Sequence, residues 1–268
     1  MINVEKINAK KGITWIAQCG LSAKGFVYVL LGVIAFMATF HIKGQSSENA
    51  DTSGALNFLN TSFAGQWLMP LLAIGLLCYT IWRFIEAARA AKGADKKWKK
   101  AGRYFLSGLV YLSVSFTAFR IVMKKSTNNG DSQQQFAAEL LSKPYGQWLL
   151  GIVALLIAAI GVYQVYYGLS EKYKKHVQKM NLNKNSSSLM LGAGKIGYVA
   201  RGVVWAIISY LMLQAALMAS SEKAGDTGKA FGAIDNTLVG AYLPAALGIG
   251  LIAYGVFNFV RARYERFE

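Results

Sequence analysis

The sequence predicts an all-α membrane fold: six transmembrane helices forming three parallel helical-hairpin repeats, with a pseudo-threefold arrangement. Three observations predict it. Apolar residues fill 54% of the 268 positions and charged residues only 16%, against about a quarter charged in an ordinary soluble domain. Six sparsely charged stretches, at 13–40, 63–88, 98–123, 145–169, 197–219 and 239–260, reach the ~20 residues that a helix needs to cross a bilayer. The chain also aligns on itself three times. Runs this long and continuous do not suit the alternating strands of a barrel, so helices are expected.

The elements follow in order. The first span is preceded by Lys6, Lys10 and Lys11. That beginning resembles a secretory leader, but no small-residue cleavage pattern follows it, and an uncleaved first span is expected. This span carries Lys24 one helical turn before Tyr28. The second opens at Trp67 and ends at Arg83 and Glu86. The third rises from the basic run "KGADKKWKKAGR" at 92–103 and carries Tyr111; the fourth opens beside Trp148. Residues 175–193 read as a polar linker. The fifth span carries Arg201 one turn before Trp205, and the sixth begins beside Tyr242. Between the spans of each pair, apolar residues in 51–60, 132–142 and 226–237 recur at helical spacing, so three short interfacial helices are expected there. Asp51, Ser132 and Asp226 are their candidate N-caps.

Charge supplies the orientation. The side holding both termini has 22 Lys and Arg against six acidic residues, and the opposite side has seven of each. The whole net charge of +16 therefore lies on one face. Lys and Arg near span ends are retained on the cytoplasmic side, so both termini are expected there. The basic runs at 92–103 and 171–179 suit anionic lipid head groups, each cation near a membrane surface contributing about 1 kcal/mol. The expected partners are thus the bilayer and its anionic head groups, with a membrane-protein partner possible in principle and no nucleic acid. Cys19 and Cys78 read as small apolar packers rather than a disulfide.

The repeat is explicit. "GLSAKGFVY" (20–28), "RYFLSGLVY" (103–111) and "GYVARGVVW" (197–205) superpose without gaps. Lys24, Ser107 and Arg201 share one position, and Gly25, Gly108 and Gly202 the next. In the second half, "GQWL" at 65–68 and 146–149 matches "GAYL" at 240–243; Tyr79, Ile160 and Tyr254 follow, then Arg83, Gln164 and Asn258. The offsets are 83 and 94 residues in the first half, 81 and 94 in the second. The units run over 1–92, 93–174 and 194–268, with 175–193 between the last two. Each unit returns the chain to its starting side, so the copies insert in parallel about an axis along the membrane normal.

A helix pair written three times, with a basic–Gly–x–Val–aromatic start and a Gly–x–Trp–Leu second half, resembles the bacterial membrane family called domain of unknown function 1206. The resemblance covers nearly all of 13–264. It implies a two-helix domain repeated three times in a bacterial cytoplasmic (inner) membrane, and it brings no catalytic residues. The middle copy departs from the pattern at Ser107 and Ile160.

The candidate residues have two readings. Lys24 and Arg201 can anchor the spans at the interface, since a long cationic side chain reaches the phosphates from a span end. Tyr28, Trp67, Trp98, Tyr111, Trp148, Trp205 and Tyr242 would then form the aromatic belt. Alternatively Lys24, Arg83 and Arg201 line an internal site for an anion, with Gln214 the polar group most in need of an interhelical partner.

Other chemistry is excluded. "GAGKIG" at 192–197 has the spacing of a dinucleotide loop, but a membrane span rather than a strand-turn-helix unit surrounds it. His41 and His176 fall on opposite sides of the membrane, and no zinc spacing occurs, so no metal and no cofactor are expected. No nucleophile–base set occurs, and the protein is not expected to be an enzyme. Two functions remain. A non-catalytic scaffold or interaction module predicts a closed apolar centre. A small-solute or ion channel or transporter built around the repeat axis predicts Lys24, Arg83, Arg201 or Gln214 on an internal cavity.

Overall fold

A computed structural model describes residues 2–40, 55–56, 59, 65–92, 98–123, 132–180, 182–221, 224 and 242–265. The elements in chain order are α1 (Ile2–Thr39), α2 (Gly65–Lys92), α3 (Trp98–Val122), α4 (Ser132–Leu141), α5 (Gly146–Leu169), α6 (Lys174–Gln178), α7 (Lys184–Leu217) and α8 (Leu243–Tyr264). Six of them, α1, α2, α3, α5, α7 and α8, are long and apolar enough to cross a membrane. The described residues are all-helical, and the chain is a multi-pass membrane protein. Large apolar side chains face outward along its flanks, among them Leu71, Ile74, Phe116, Leu155 and Val256. In water such a surface would be an aggregation hazard; in hydrocarbon it is solvated.

Two local features differ from the sequence reading. The fifth span starts well before 197, because α7 begins at Lys184 and takes in much of the expected linker. Its start is fixed by Asn183, whose side chain accepts a 2.9 Å hydrogen bond from the Ser186 backbone N–H and so satisfies one of the donors a helix start leaves free. Of the short outer helices, α4 begins at Ser132 itself. Only Ala55, Leu56 and Leu59 of the first are described, all buried in the core. The third, at 226–237, and the caps Asp51 and Asp226 lie outside the described residues.

Hydrocarbon provides no hydrophobic drive between helices, so their association depends on close packing and interhelical hydrogen bonds. The packing here follows the repeat. The first helix of each hairpin lies against the second helix of a neighbouring hairpin: α1 on α8, α3 on α2 and α7 on α5. Equivalent positions make equivalent contacts. Gly32 of α1 meets Gly248 of α8 backbone to backbone. At the same place in the other two seams, the Ser115 hydroxyl donates to the Ala73 carbonyl (3.2 Å) and the Ser209 hydroxyl to the Ala154 carbonyl (2.8 Å). The shared glycine behind each Lys24-type position also sits in these seams: Gly25 on Gly255, Gly108 on the Phe84 ring, Gly202 on Gly161 and Val165.

Packing within the hairpins is less even. In the first, α1 lies on α2, with Gly20 against the Tyr79 backbone and Ala23 against Gly75; in the third, α7 lies on α8, with Gly197 against Tyr254 and Ala200 against Gly250. The middle hairpin has Arg103, Ile160, Leu106 and Leu156 at those four positions, and α3 and α5 stand apart. The ring of helices is therefore packed at five junctions and parted at the sixth.

Substitution at Gly202 should test the seam. A Cβ there would come within 2.5 Å of Val165 Cγ2 and 2.8 Å of the Gly161 carbonyl oxygen. Gly202→Leu is expected to destabilise the detergent-solubilised protein by roughly 1–3 kcal/mol through overpacking. Gly192, with nothing within 4 Å of an added Cβ, should accept Ala and gain about 0.5–1 kcal/mol. Thermal unfolding of the two variants reads both effects.

Candidate functional site

Where the three hairpins meet, toward the end of the bundle that carries Lys24, Arg83 and Arg201, lies a cavity of about 1210 Å³. All six long helices contribute to its wall. The repeat places one polar position of each copy on it: Lys24, Ser107 and Arg201. Farther in, the wall turns apolar, with Leu31, Ile157, Met212 and Leu251. Beyond these, Ile34, Leu56, Leu150 and Ala215, all fully buried, belong to one apolar cluster toward the opposite end.

Tyr79 organises the first part of the site. It is fully buried, and its hydroxyl accepts from Lys24 Nζ at 3.1 Å and from Arg83 Nε at 2.8 Å. Arg83 Nη2 reaches the same oxygen at 2.5 Å, so two cationic side chains converge on one phenol hydroxyl. Arg83 turns its other side to Glu86, with Nη1 at 2.6 Å from Oε2. Tyr254 occupies the equivalent place in the third copy. Arg201 lies between two rings, its guanidinium carbon 4.4 Å from the Tyr254 centroid and 4.8 Å from that of Tyr28. Lys24 Nζ is 5.0 Å from the Tyr79 centroid, 5.4 Å from Tyr111 and 5.3 Å from Tyr254. The negative faces of aromatic rings attract cations, by about 2 kcal/mol or more where water is excluded. This is how the fold tolerates the charge whose place in an apolar span needed explaining.

The rings do not complete the hydrogen bonding or neutralise the charge. Among the described residues, the ion pairs engage neither Lys24 nor Arg201. Buried Arg201 Nε and Gln164 Oε1 have no hydrogen-bond partner, and both residues line the cavity. Buried polar atoms are almost always satisfied by protein, water or ligand, so each calls for a partner that the described residues do not supply, as does Asn258 Oδ1, whose residue is not on the cavity wall.

A second charged group closes the same end. Arg261 and Glu265, one turn apart and each 5% exposed, form a buried pair, Nε to Oε2 at 2.5 Å. His176, from the short helix α6, lies with Nδ1 at 2.6 Å from Glu265 Oε1 and 3.2 Å from Arg261 Nη2. One ring nitrogen cannot donate to the carboxylate and accept from the guanidinium together; the shorter contact assigns its proton toward Glu265. Tyr173 fixes α6, its hydroxyl donating to the Leu191 carbonyl at 2.5 Å. Burial, with the Arg261 charge beside it, lowers the His176 pKa to about 4. Burial would raise that of Glu265, but the hydrogen bond from His176 and the Arg261 charge outweigh it and hold the carboxyl at about 2.

The sequence-predicted residues thus fall into two groups. Lys24, Arg83 and Arg201 come together on one cavity. Gln214 does not join them: its Nε2 donates to the Tyr210 hydroxyl at 2.7 Å on an exposed part of the same helix. Of the expected anchors, Trp67, Trp98, Trp148 and Tyr242 are exposed on the outside of the bundle. Tyr28, Tyr111 and Trp205 line the cavity instead, because the helix face that carries them is the face turned inward with Lys24 and Arg201. Tyr79, Tyr254, Gln164 and Arg261 were not singled out as a site. Tyr79 and Tyr254 share one repeat position, and Gln164 shares that of Arg83, which was the available signal. His176 and Glu265 stand 89 residues apart, and no local pattern links them.

The acid response of this end has a definite sign. The folded pKa of His176 lies below its ordinary 6.5, so its contribution is intact above that value and declines as pH falls toward about 4. The Glu265 contribution is intact above 4.5 and declines as pH falls toward about 2. Both make the fold weaker in acid. The melting temperature should therefore fall between pH 7 and 4, and less so in His176→Ala. Glu265→Gln, which leaves Arg261 buried without its partner, should cost about 3 kcal/mol at pH 7.

Comparison with known proteins agrees with the repeat. The family profile described as Domain of Unknown Function (DUF1206) matches three times, at residues 19–90, 102–171 and 196–265. "Uncharacterized protein YxxB" of Bacillus subtilis (strain 168) is 27% identical over 263 residues, covering 97% of this chain and 94% of that protein. No solved structure matches. The three matched segments are the three hairpins described above, α1–α2, α3–α5 and α7–α8, and the chain belongs to the DUF1206 family.

Proposed function

We propose that the protein binds, and carries within the membrane, an anionic solute held in the cavity between its three hairpins. One observation carries this reading: Lys24 and Arg201 lie on a common cavity whose carboxylates, Glu86 and Glu265, are paired with Arg83 and Arg261, and among the described residues Arg201 Nε is buried without a hydrogen-bond partner. Two like charges in a poorly polarisable interior repel each other, and an anion between them would relieve both the repulsion and the missing hydrogen bonds. A scaffold role predicts a closed apolar centre, and the cavity of about 1210 Å³ favours the binding reading over it. The role is binding and transfer without covalent chemistry. In this reading the basic end faces the cytoplasm across a bacterial inner membrane, against anionic head groups.

Thermal unfolding in detergent tests the binding. Inorganic phosphate and sulfate should raise the melting temperature, with about 2.7 kcal/mol of stabilisation at a concentration one hundred times Kd. Lys24→Met with Arg201→Met should abolish the response. An identical response in wild type and double variant, or none in either, would overturn the proposal. For orientation, single cysteines at Asn49, Asn128 and Glu222, in a background with Cys19 and Cys78 replaced by Ala, should react with an impermeant maleimide from outside intact cells. Protection of all three would reverse the assignment.

A further inference from the structure

The cavity has a side entrance, and the sequence accounts for it. In the first and third hairpins the two helices meet through small residues: Gly20 on Tyr79 and Ala23 on Gly75, then Gly197 on Tyr254 and Ala200 on Gly250. A glycine or alanine at these points lets the facing backbone approach. The middle hairpin has Arg103 in place of the glycine, Leu106 in place of the alanine, Leu156 in place of the second glycine and Ile160 in place of the tyrosine. Four bulkier or mismatched groups at one seam leave α3 and α5 apart.

The edges of that gap are left uncovered by any neighbouring helix. Leu106, Val110 and Ile160 line the cavity, yet they are 63%, 52% and 46% exposed. In a bilayer the surface outside them is hydrocarbon. Arg103 spans the gap, its Nη1 donating to the Tyr163 hydroxyl at 2.8 Å. The opening therefore carries a guanidinium beside an apolar slot. Inside, the wall repeats this polarity, with Lys24, Arg201 and the tyrosines at one level and Leu31, Ile157, Met212 and Leu251 deeper in. The volume of about 1210 Å³ exceeds the ~300–1,000 Å³ of pockets that hold drug-sized ligands.

We propose that the ligand is a phosphate-bearing amphiphile, a single anionic membrane lipid, which enters from the bilayer between α3 and α5. Its phosphate lies on Lys24 and Arg201, and its hydrocarbon chain lies along the apolar wall and out through the gap. This deepens the anion-binding reading and rests on it. Two complementarities specify the occupant: a negative charge for the unpaired cations, and a chain for the apolar slot that continues into hydrocarbon. A free inorganic anion satisfies only the first.

The test separates the two claims. Wild-type protein is exchanged into mixed vesicles or micelles holding equal amounts of phosphatidylglycerol and phosphatidylcholine, and the lipid retained per chain is read by native mass spectrometry. One phosphatidylglycerol should be retained, preferred by about tenfold or more on the strength of two cations. Lys24→Met with Arg201→Met should remove the preference. The middle hairpin is then given the small-residue seam of the first by R103G/L106A/L156G/I160Y. This should close the gap and reduce retained lipid at least several-fold, while the melting-temperature rise with inorganic phosphate persists. That persistence also reports that the variant is folded. Equal retention of the two lipids by wild type, or undiminished retention in a folded seam variant, overturns the lateral lipid. A phosphate response with no lipid preference leaves the anion site and rejects the amphiphile. Absence of both rejects the site itself. If the seam variant does not fold, the wild-type preference and its loss in the double variant decide the question.

Discussion

The close approach of backbones at small residues is the constraint on which the rest of this structure depends. Between lipid tails, one apolar surface is as well solvated as another, and helices associate only where their shapes let many atoms touch. Gly20, Gly25, Gly32, Gly75, Gly202 and Gly250 lie at such points, each with a neighbouring helix inside the distance a side chain would occupy. They draw the hairpins into a ring whose middle is left unfilled. The cavity is a consequence of where the ring is tight. The backbones meet along the seams, and the long side chains at Lys24, Arg83 and Arg201 project into the space that remains.

Those cations determine what the cavity can do. An arginine buried in an apolar bundle usually finds a carboxylate, as Arg261 finds Glu265 and Arg83 finds Glu86. Lys24 and Arg201 find tyrosine rings instead. A ring stabilises a cation without cancelling its charge, so the site keeps an attraction for anions that an internal salt bridge would have quenched. The tyrosines serve a second purpose through their hydroxyls, since Tyr79 ties Lys24 on α1 to Arg83 on α2. The charges are thereby held in place before anything binds, which limits the ordering that binding requires.

Much of this was legible in the sequence, for a physical reason. Hydropathy and cation asymmetry reflect the cost of moving charge through hydrocarbon, which every span must respect regardless of its neighbours. The self-alignment then located Lys24 and Arg201 on one shared position and Arg83 on another. The direction in which they point was not legible. A cation followed one turn later by an aromatic fits an interface anchor and a cation held on a ring equally well, and only the neighbouring helix distinguishes Tyr28 in a cavity wall from Trp67 on the outer surface. Gln214 was misleading because its partner is local: Tyr210 stands one turn away on the same helix. The early start of α7 was readable at Asn183, but the polar run after it resembled a linker. Arg103, Leu106, Leu156 and Ile160 were visible as departures from the repeat. Their joint effect, a parted seam, needed the pairing of positions across two helices.

The apolar cluster at the far end has an electrical consequence. Ile34, Leu56, Leu150 and Ala215 are fully buried there, while Lys99, Lys175 and Lys179 line the cavity at the basic end. Where water enters the mouth it conducts, so the voltage across a membrane falls mostly over the thickness that water does not enter. An anion resting on Lys24 and Arg201 would share nearly the potential of the solution at the mouth, and its occupancy would scarcely respond to voltage. Passage through the apolar layer would instead meet almost the whole field at once, about 2.3 kcal/mol per charge for each 100 mV. If the protein carries an anion as proposed, binding would scarcely feel the membrane potential and the crossing step would feel nearly all of it.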